Sequence, residues 1–368
     1  MPDRLDNHLH PHGHLQDHDH NHPPHNQGLW ARIAAQFHLR KHNHHHGELA
    51  SDQAFIDNQQ GIRAVWLALA ALTLTSILQI IIVLWSGSIA LFADTLHNIG
   101  DGLNSIPLLI AFYLARRAAT RRYTYGFAKA EDIAGIFIVL SIALSAGVIF
   151  WESFQKFLNP QPLTNLGWVA AAAVIGFLGN EAVALLQIRV GRKIGSAALV
   201  ADGLHARTDG LTSLAVLLAA GGSWLGFPIL DPIIGLLIGV VILFITRDAA
   251  VTMWYRLMDA IDPEILAKAE EVARHQAAVK ELRRLRMRWM GHRLYAEVYI
   301  AVDPLLTTVQ SHHIAETLRH DLFHQIPNLA EVVVHVDPWT EQLETAHQLT
   351  LHHEPIPEPI AVFPPIRH

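Results

Sequence analysis

The chain has 368 residues, of which 51% are hydrophobic and 16% are charged, and its formal net charge is −6. It contains no cysteine, which excludes disulfides, thiolate metal sites and thiol redox chemistry and argues against a Cu(I) substrate. No nucleic-acid-binding motif is present, so nucleic acid is not an expected partner.

The N-terminal segment 1–60 is polar and rich in histidine, and thirteen of the 26 histidines lie in the first 46 positions. A segment of this composition cannot bury a core, so we predict a disordered tail. Either its neutral imidazoles capture Zn²⁺, Co²⁺ or Ni²⁺ weakly, or it is a solvated extension that binds metal only as any histidine-rich segment does. No charged stretch followed by an apolar one opens the chain, so we expect no cleavable signal peptide.

Long apolar segments follow the tail, at about 64–85, 88–115, 130–152, 166–187, 196–222 and 231–252. Each reaches the roughly 20 residues that a membrane-spanning helix needs. The stretches 134–150, 168–178 and 233–246 carry no charge, which disfavours a soluble bundle, since its helices would each need a polar face. The sequence therefore predicts an all-α six-helix transmembrane bundle over residues 61–255.

The loops between these segments differ in charge. Lys and Arg are concentrated after the second and fourth segments and near the end of the sixth, whereas the connections 85–87, 159–165 and 221–230 carry none. Because positive loops stay on the cytoplasmic side, we predict a multi-pass protein of the cell inner membrane or plasma membrane with both termini cytoplasmic. The arginine pairs are expected to contact anionic lipid headgroups.

One pattern, A-D-x-L-H-x-x-x-D-G-L-x-S, occurs twice, at 93–105 in the second segment and at 201–213 in the fifth. Helical residues four positions apart share a face, so each copy presents one imidazole and one carboxylate together. Two such helices facing each other supply two nitrogens and two oxygens, which is the ligand set of a tetrahedral divalent-metal site. The candidate ligands are His97, Asp101, His205 and Asp209.

The alternative for these four residues is a hydrogen-bonded contact between helices. Two copies with a buried acid in each favour the metal site, because a carboxylate inside a membrane is costly unless it is neutralised. Metal and protons would compete for the same side chains, so a site open alternately to each side would exchange metal for protons. Asp94 and Asp202 precede each histidine by three residues and are predicted to line a mouth or cap a helix near the non-cytoplasmic end.

Further polar residues in the fourth segment, Asn180 and Glu181, are expected to line the pathway or support the ligands. Gly102 and Gly210 follow the ligand aspartates and are expected to permit close approach of helices.

A small soluble domain is predicted over 256–340. Its first helix opens with Asp262 as N-cap and Pro263 at the first helical position. The elements expected are a helix at 264–278, strands at 282–289 and 294–302, a helix at 308–325 and a strand at 332–336. The order α-β-β-α-β suggests helices on one face of a small sheet. Residues 341–368 are predicted to be a loose C-terminal tail.

Over about 62–340 the sequence resembles the cation diffusion facilitator family, of the bacterial zinc-transporting type. The resemblance rests on the two motif copies, on R-Y-T-Y-G-F-A-K-A-E at 122–131 and on L-M-D-A-I-D-P at 257–263. It implies a six-helix transmembrane bundle with a ferredoxin-like cytoplasmic domain, in a homodimer. It also implies a transporter, not an enzyme, that exports divalent metal from the cytoplasm in exchange for protons. Zn²⁺ is the first expectation for the substrate, with Cd²⁺, Co²⁺ or Ni²⁺ as alternatives.

The transport ligands of that family fall on the four motif residues named above. A histidine as the first ligand of each motif copy resembles the zinc-preferring members. Some members hold a second metal with histidines after the second span, where this chain has Tyr123 and Phe127. That second site is therefore expected to be absent.

In the cytoplasmic domain the resemblance implies a structural or regulatory zinc at His312, His335 and Asp337. Lys280 and Tyr299 stand where further histidines would be needed for two metals. The alternative for His335 and Asp337 is a strand end with solvent-facing polar groups. Three other histidines of the domain are expected to be exposed helix residues, namely His313, His320 and His324.

The same sequence bears on other functional classes. An intramembrane metalloprotease would need H-E-x-x-H or a similar motif, and the sequence contains none. A membrane metal sensor or binding protein without transport remains the alternative to a carrier.

Overall fold

The protein is represented by a computed structural model, and the structure describes residues 48–86, 95, 100, 102–158, 165–227 and 229–340. His97, Asp101, Asp94 and the tail segments 1–47 and 341–368 lie outside the described residues. The first described helix begins at Glu48, so residues 48–60, which were predicted to belong to the disordered tail, are helical.

The N-terminal part of the described chain is helical throughout. Its helices are α1 (Glu48–Ser86), α2 (Ser105–Ala115), α3 (Lys129–Leu158), α4 (Leu166–Ile194), α5 (Ala197–Trp224) and α6 (Leu230–Leu257). Five of them coincide with predicted apolar segments and most extend past the predicted ends, while α2 covers the last part of the second segment.

Within the described residues, four helical stretches are long and apolar enough to cross a membrane, namely Ile56–Ser86, Lys129–Leu158, Leu166–Ile194 and Leu230–Leu257. Only 22–39% of the residues in their most apolar windows are buried inside the protein. Large apolar side chains such as Leu144 and Phe244 are 72% and 64% exposed. An apolar surface on this scale needs lipid around it, so the chain is a multi-pass membrane protein.

Two helices of the bundle differ from these four. Helix α2 is apolar but has 11 residues. Helix α5 has 28 residues but carries Asp202, Arg207 and Asp209 along its length. The predicted count of six spans therefore stays a prediction.

A tight turn joins α4 to α5. Gly195 ends α4 with a positive φ of 72°, which a residue without a Cβ adopts at little cost, and Ser196 caps α5 by accepting a hydrogen bond from Leu199 N. The two helices then run side by side at close range, and a Cβ added at Gly203 would lie 2.9 Å from the backbone N of Ile188. This packing fixes the direction in which the polar side chains of α5 point.

The C-terminal small domain (residues 263–338) has the predicted order α-β-β-α-β. Its elements are α7 (Pro263–His275), β1 (Glu281–Met290), β2 (Arg293–Val302), α8 (Thr308–Gln325) and β3 (Leu329–Pro338). The Asp262 side chain accepts from Glu264 N, as the sequence predicts for an N-cap. Helix α7 ends at His275, short of the predicted 278, because the backbone turns extended at Gln276 and Lys280 N donates to Ala301 O as the sheet begins.

The sheet of the small domain has the strand order β1-β2-β3, with β1 antiparallel and β3 parallel to β2. The inward face of the central strand, Leu294, Val298 and Ile300, is fully buried against Leu318 and Leu322 of α8. These strands and helices form an α+β unit with its own hydrophobic core.

The β1–β2 turn docks onto the end of the bundle. The Asp132 carboxylate accepts from Gly291 N at 3.0 Å, and the Arg256 guanidinium donates to Gly291 O at 3.0 Å. His292 Nδ1 lies 2.7 Å from the Glu131 carboxylate, and these two side chains are 2% and 1% exposed. The small domain is thus held to α3 and α6 by a buried polar contact around one turn.

We predict that Gly291→Ala destabilises the protein. Gly291 has φ +59°, and an added Cβ would lie 2.7 Å from Ala128 O and 2.8 Å from Glu131 Oε2. The left-handed backbone conformation alone destabilises a residue that has a Cβ by about 1–2 kcal/mol, and the close contacts of the added Cβ increase this loss of stability. Thermal unfolding in detergent should show a lower midpoint.

The matched control for this change is Gly147→Ala. Gly147 lies within α3, and a Cβ there would meet nothing within 4 Å. The control should unfold at or above the wild-type temperature, since alanine favours helix over glycine by up to about 1 kcal/mol. Equal midpoints for the two variants would contradict the docking of the turn.

Candidate metal centre

One face of α5 carries the second copy of the repeated motif. His205 Nδ1 lies 3.9 Å from Asp209 Oδ1, and the side chains are 3% and 12% exposed. The four-residue spacing therefore places the imidazole and the carboxylate side by side, as the sequence predicts. Both face the interior of the bundle, where a carboxylate needs a compensating charge or proton.

The end of the first motif copy touches the second copy. Asn104 Nδ2 lies 2.8 Å from His205 Nε2, and the Ser105 hydroxyl donates to Asp202 Oδ2 at 2.7 Å. Asn104 and Ser105 are the last two residues of the copy that holds His97 and Asp101. The fold thus brings the two motif copies into direct contact, although the first pair of candidate ligands lies outside the described residues.

The Asn104 side chain occupies one nitrogen of His205. As the amide is placed, its nitrogen faces His205 Nε2, while His205 Nδ1 faces Asp209. Asn104 is itself fixed, since its amide also donates to Ser141 Oγ on α3 at 2.8 Å. A metal ligated through Nε2 of this histidine would have to displace the Asn104 amide.

The prediction for Asp202 was wrong. Asp202 is 3% exposed, and its carboxylate accepts from Ser105 of α2 and from Gln187 of α4. It lies near the start of α5, the end adjacent to the small domain, and the cap of that helix is Ser196. Asp202 therefore joins three helices beside the candidate centre and does not line a mouth or cap a helix.

Glu181 and Asn180, two polar residues of the fourth segment, both contact α5. Glu181 on α4 accepts two hydrogen bonds from the guanidinium of Arg207 on α5, at 2.7 and 3.2 Å. Asn180 is 4% exposed and lies against Gly210, where an added Cβ would be 3.4 Å from the Asn180 Cβ. The sequence did not indicate Arg207 as the partner of Glu181, since the pairing depends on how the two helices face each other.

In the small domain, His335 Nε2 lies 3.0 Å from Asp337 Oδ1, and the other carboxylate oxygen of Asp337 accepts from Arg283 at 3.2 Å. His312 lies on α8, in the wall of a cavity whose lining includes neither His335 nor Asp337. Across the described ranges, no three His, Asp or Glu side chains gather into a group that could hold a metal ion. The site predicted from His312, His335 and Asp337 stays a prediction.

Comparison with known proteins agrees with this architecture. Residues 65–258 match the family model described as cation efflux transmembrane domain, and residues 261–339 match the one described as cation efflux protein, cytoplasmic domain. The bundle and the small domain thus define a multi-pass membrane transporter. The chain belongs to the cation efflux family, the cation diffusion facilitators.

Among its relatives is the probable cation efflux system protein Rv2025c of Mycobacterium tuberculosis, 48% identical over 321 residues, which are 87% of this chain and 95% of the relative. The cation-efflux pump FieF of Serratia proteamaculans is 32% identical over 275 residues, 74% of this chain and 91% of the relative. Among solved structures, a variant of the MamM C-terminal domain in a cadmium form is 26% identical, covers 21% of this chain and 98% of that chain, and has a TM-score of 0.21.

The contact between the motif copies predicts the effect of Ser105→Ala. The change removes one hydrogen-bond donor from a buried carboxylate and leaves Gln187 as its remaining described donor. We expect a loss of about 1–3 kcal/mol of stability, measured by thermal unfolding in detergent. Ser311→Ala is the control, because that hydroxyl bonds only backbone carbonyls of its own helix region. Equal losses in the two variants would contradict the role given to Ser105.

Proposed function

We propose that this cation efflux transporter exports divalent metal from the cytoplasm in exchange for protons, with His97, Asp101, His205 and Asp209 as the transport ligands. The supporting observation is the meeting of the two motif copies, through Asn104 with His205 and Ser105 with Asp202. In the sequence, His97 and Asp101 precede Asn104 by seven and three positions, so the predicted ligands of the first copy belong to the same short segment as the residues that contact the second copy.

Proton exchange follows from the charge of this ligand set. Two carboxylates and two neutral imidazoles balance a dication, and the same four side chains bind protons when the metal leaves. A low-dielectric bundle disfavours two bare carboxylates. Protons therefore replace the metal before the empty site opens again to the cytoplasmic side. A separate proton channel is not needed in this scheme.

For the substrate, the proposal is Zn²⁺ first, with Cd²⁺, Co²⁺ and Ni²⁺ as competitors. Imidazole nitrogen favours these ions over Mg²⁺ or Ca²⁺, which prefer oxygen ligands. The filled set of four ligands suits carriage better than catalysis, since a catalytic zinc keeps a position open for water or substrate.

The proposed setting is a homodimer in the inner or plasma membrane, with six spans and with the small domain and both termini in the cytoplasm. The match to a cytoplasmic-domain model at residues 261–339 supports the side given to the small domain. The absence of Lys and Arg from the connections 159–165 and 221–230 supports the opposite side for those loops.

The first functional prediction is that Asp209→Ala abolishes transport while leaving the protein folded. The substitution leaves a dication with one carboxylate in a low-dielectric site. The loss should exceed the roughly 10–100-fold that is typical when a residue merely supporting a ligand is removed. Zn²⁺-dependent proton flux into proteoliposomes measures it.

The control for this variant is Asp248→Ala, because Asp248 lies on α6 with its side chain 73% exposed. Flux near wild type in Asp209→Ala would remove the proposed site. Metal binding without any metal or proton flux in the wild-type protein would instead indicate a sensor.

The second functional prediction is that His205→Asp changes the order of preferred metals without ending transport. Replacing a nitrogen ligand by oxygen shifts preference toward ions that accept more oxygen, such as Mn²⁺. Competition of Mn²⁺, Cd²⁺ and Co²⁺ against Zn²⁺ uptake gives the order, and His275→Asp, on exposed α7 surface, is the control. An unchanged order would mean that His205 does not touch the metal.

A further inference from the structure

Helix α8 carries a row of potential metal ligands on one exposed face. His312, Glu316, His320 and His324 follow one another at four-residue steps and are all exposed. They line a cavity of about 1040 Å³, whose wall also includes Asp57 of α1 and His292 of the docked turn. The cavity therefore lies between the small domain and the end of the bundle.

Two histidines of this row lie at chelating distance. His320 Nε2 and His324 Nε2 are 3.1 Å apart, and the ring centroids are 4.4 Å apart. Two imidazoles on one metal at about 2.0–2.1 Å, with a ligand–metal–ligand angle between square and tetrahedral, place their nitrogens about 2.9–3.4 Å apart. The observed spacing of the two Nε2 atoms falls within that interval.

A neighbouring carboxylate favours the tautomer that a metal needs. His320 Nδ1 lies 3.4 Å from Asp321 Oδ1, and Gln276, the residue after α7, donates to the other oxygen of Asp321. A proton on Nδ1 that is directed at this carboxylate leaves the lone pair on Nε2, which is the arrangement found around many metal-bound histidines. Asp321 is thus held in place by Gln276, and His320 presents Nε2 toward His324.

We propose that His320 and His324 together chelate one divalent transition-metal ion, such as Zn²⁺, Co²⁺ or Ni²⁺, with water in the remaining positions. This site is distinct from the four proposed transport ligands and from His312, His335 and Asp337. It does not depend on the transport proposal. Glu316 lies one turn before His320 and its Oε1 is 3.4 Å from Arg319, so the protein ligands of the proposed site are the two imidazoles alone.

The exposure of this site favours rapid exchange of the bound ion. It offers two protein ligands, and the His320 side chain is 69% exposed, so water reaches the ion from several directions. An ion held in this way is released readily, in contrast to a structural zinc enclosed by four protein ligands. We therefore infer a transient holding site in the cavity beside the bundle.

The test is residue-resolved modification of histidine by diethyl pyrocarbonate in the full-length protein, followed by mass spectrometry. Reading each histidine separately keeps the many histidines of the N-terminal segment from obscuring the result. With Zn²⁺ at about ten times its dissociation constant, the free site and hence the rates at His320 and His324 should fall about tenfold. His313, exposed on the same helix and lining the same cavity, should react at an unchanged rate, and Mg²⁺ should protect neither residue.

The variant His324→Gln separates a chelate from independent binding. If the two imidazoles share one ion, His320 loses its protection by Zn²⁺ in this variant, whereas His313→Gln leaves it intact. Unchanged rates at His320 and His324 in the wild-type protein would overturn the proposal. Equal protection of His320 with and without His324 would also overturn it.

Discussion

The Asp202 carboxylate joins three helices at the level of the candidate metal centre. It accepts from Ser105 on α2 and Gln187 on α4 while standing on α5. In lipid no water can satisfy a polar group, so each such side chain must find its partner within the protein. The same requirement pairs Glu181 with Arg207. These contacts set how the helices face one another, and with that the orientation of the motif face of α5.

Local pattern predicted the elements well, because each depends on periodicity, length or capping. The apolar runs gave the helices of the bundle, and Asp262 with Pro263 located the start of α7. The repeat at 93–105 and 201–213 pointed to one face of α5, where His205 and Asp209 lie together. Helix ends were less predictable, since α1 continues back to Glu48 through polar residues that no hydropathy window selects.

Long-range partners could not be predicted from one sequence. The role of Asp202 depends on Gln187, which lies on the adjacent helix, and spacing from His205 alone gave the wrong interpretation. The Glu131–His292 pair joins residues 161 positions apart, and each residue alone resembles an ordinary polar residue at the end of an element. The sequence shows Gly291 after a strand, and it shows Glu131 and Asp132 at the start of an apolar helix. Neither feature predicts a contact with the other.

The docked β1–β2 turn has a mechanical consequence. The N–H of Gly291 donates to Asp132 on α3, and the carbonyl of Gly291 accepts from Arg256 on α6. A single residue of the turn therefore links the ends of two helices. The same arginine also donates to Gly195 O at the α4–α5 junction. These helix ends cannot separate unless the hydrogen bonds to the turn are broken. A rearrangement that separates these helix ends therefore has to break these hydrogen bonds, whereas one confined to the opposite ends of the helices does not.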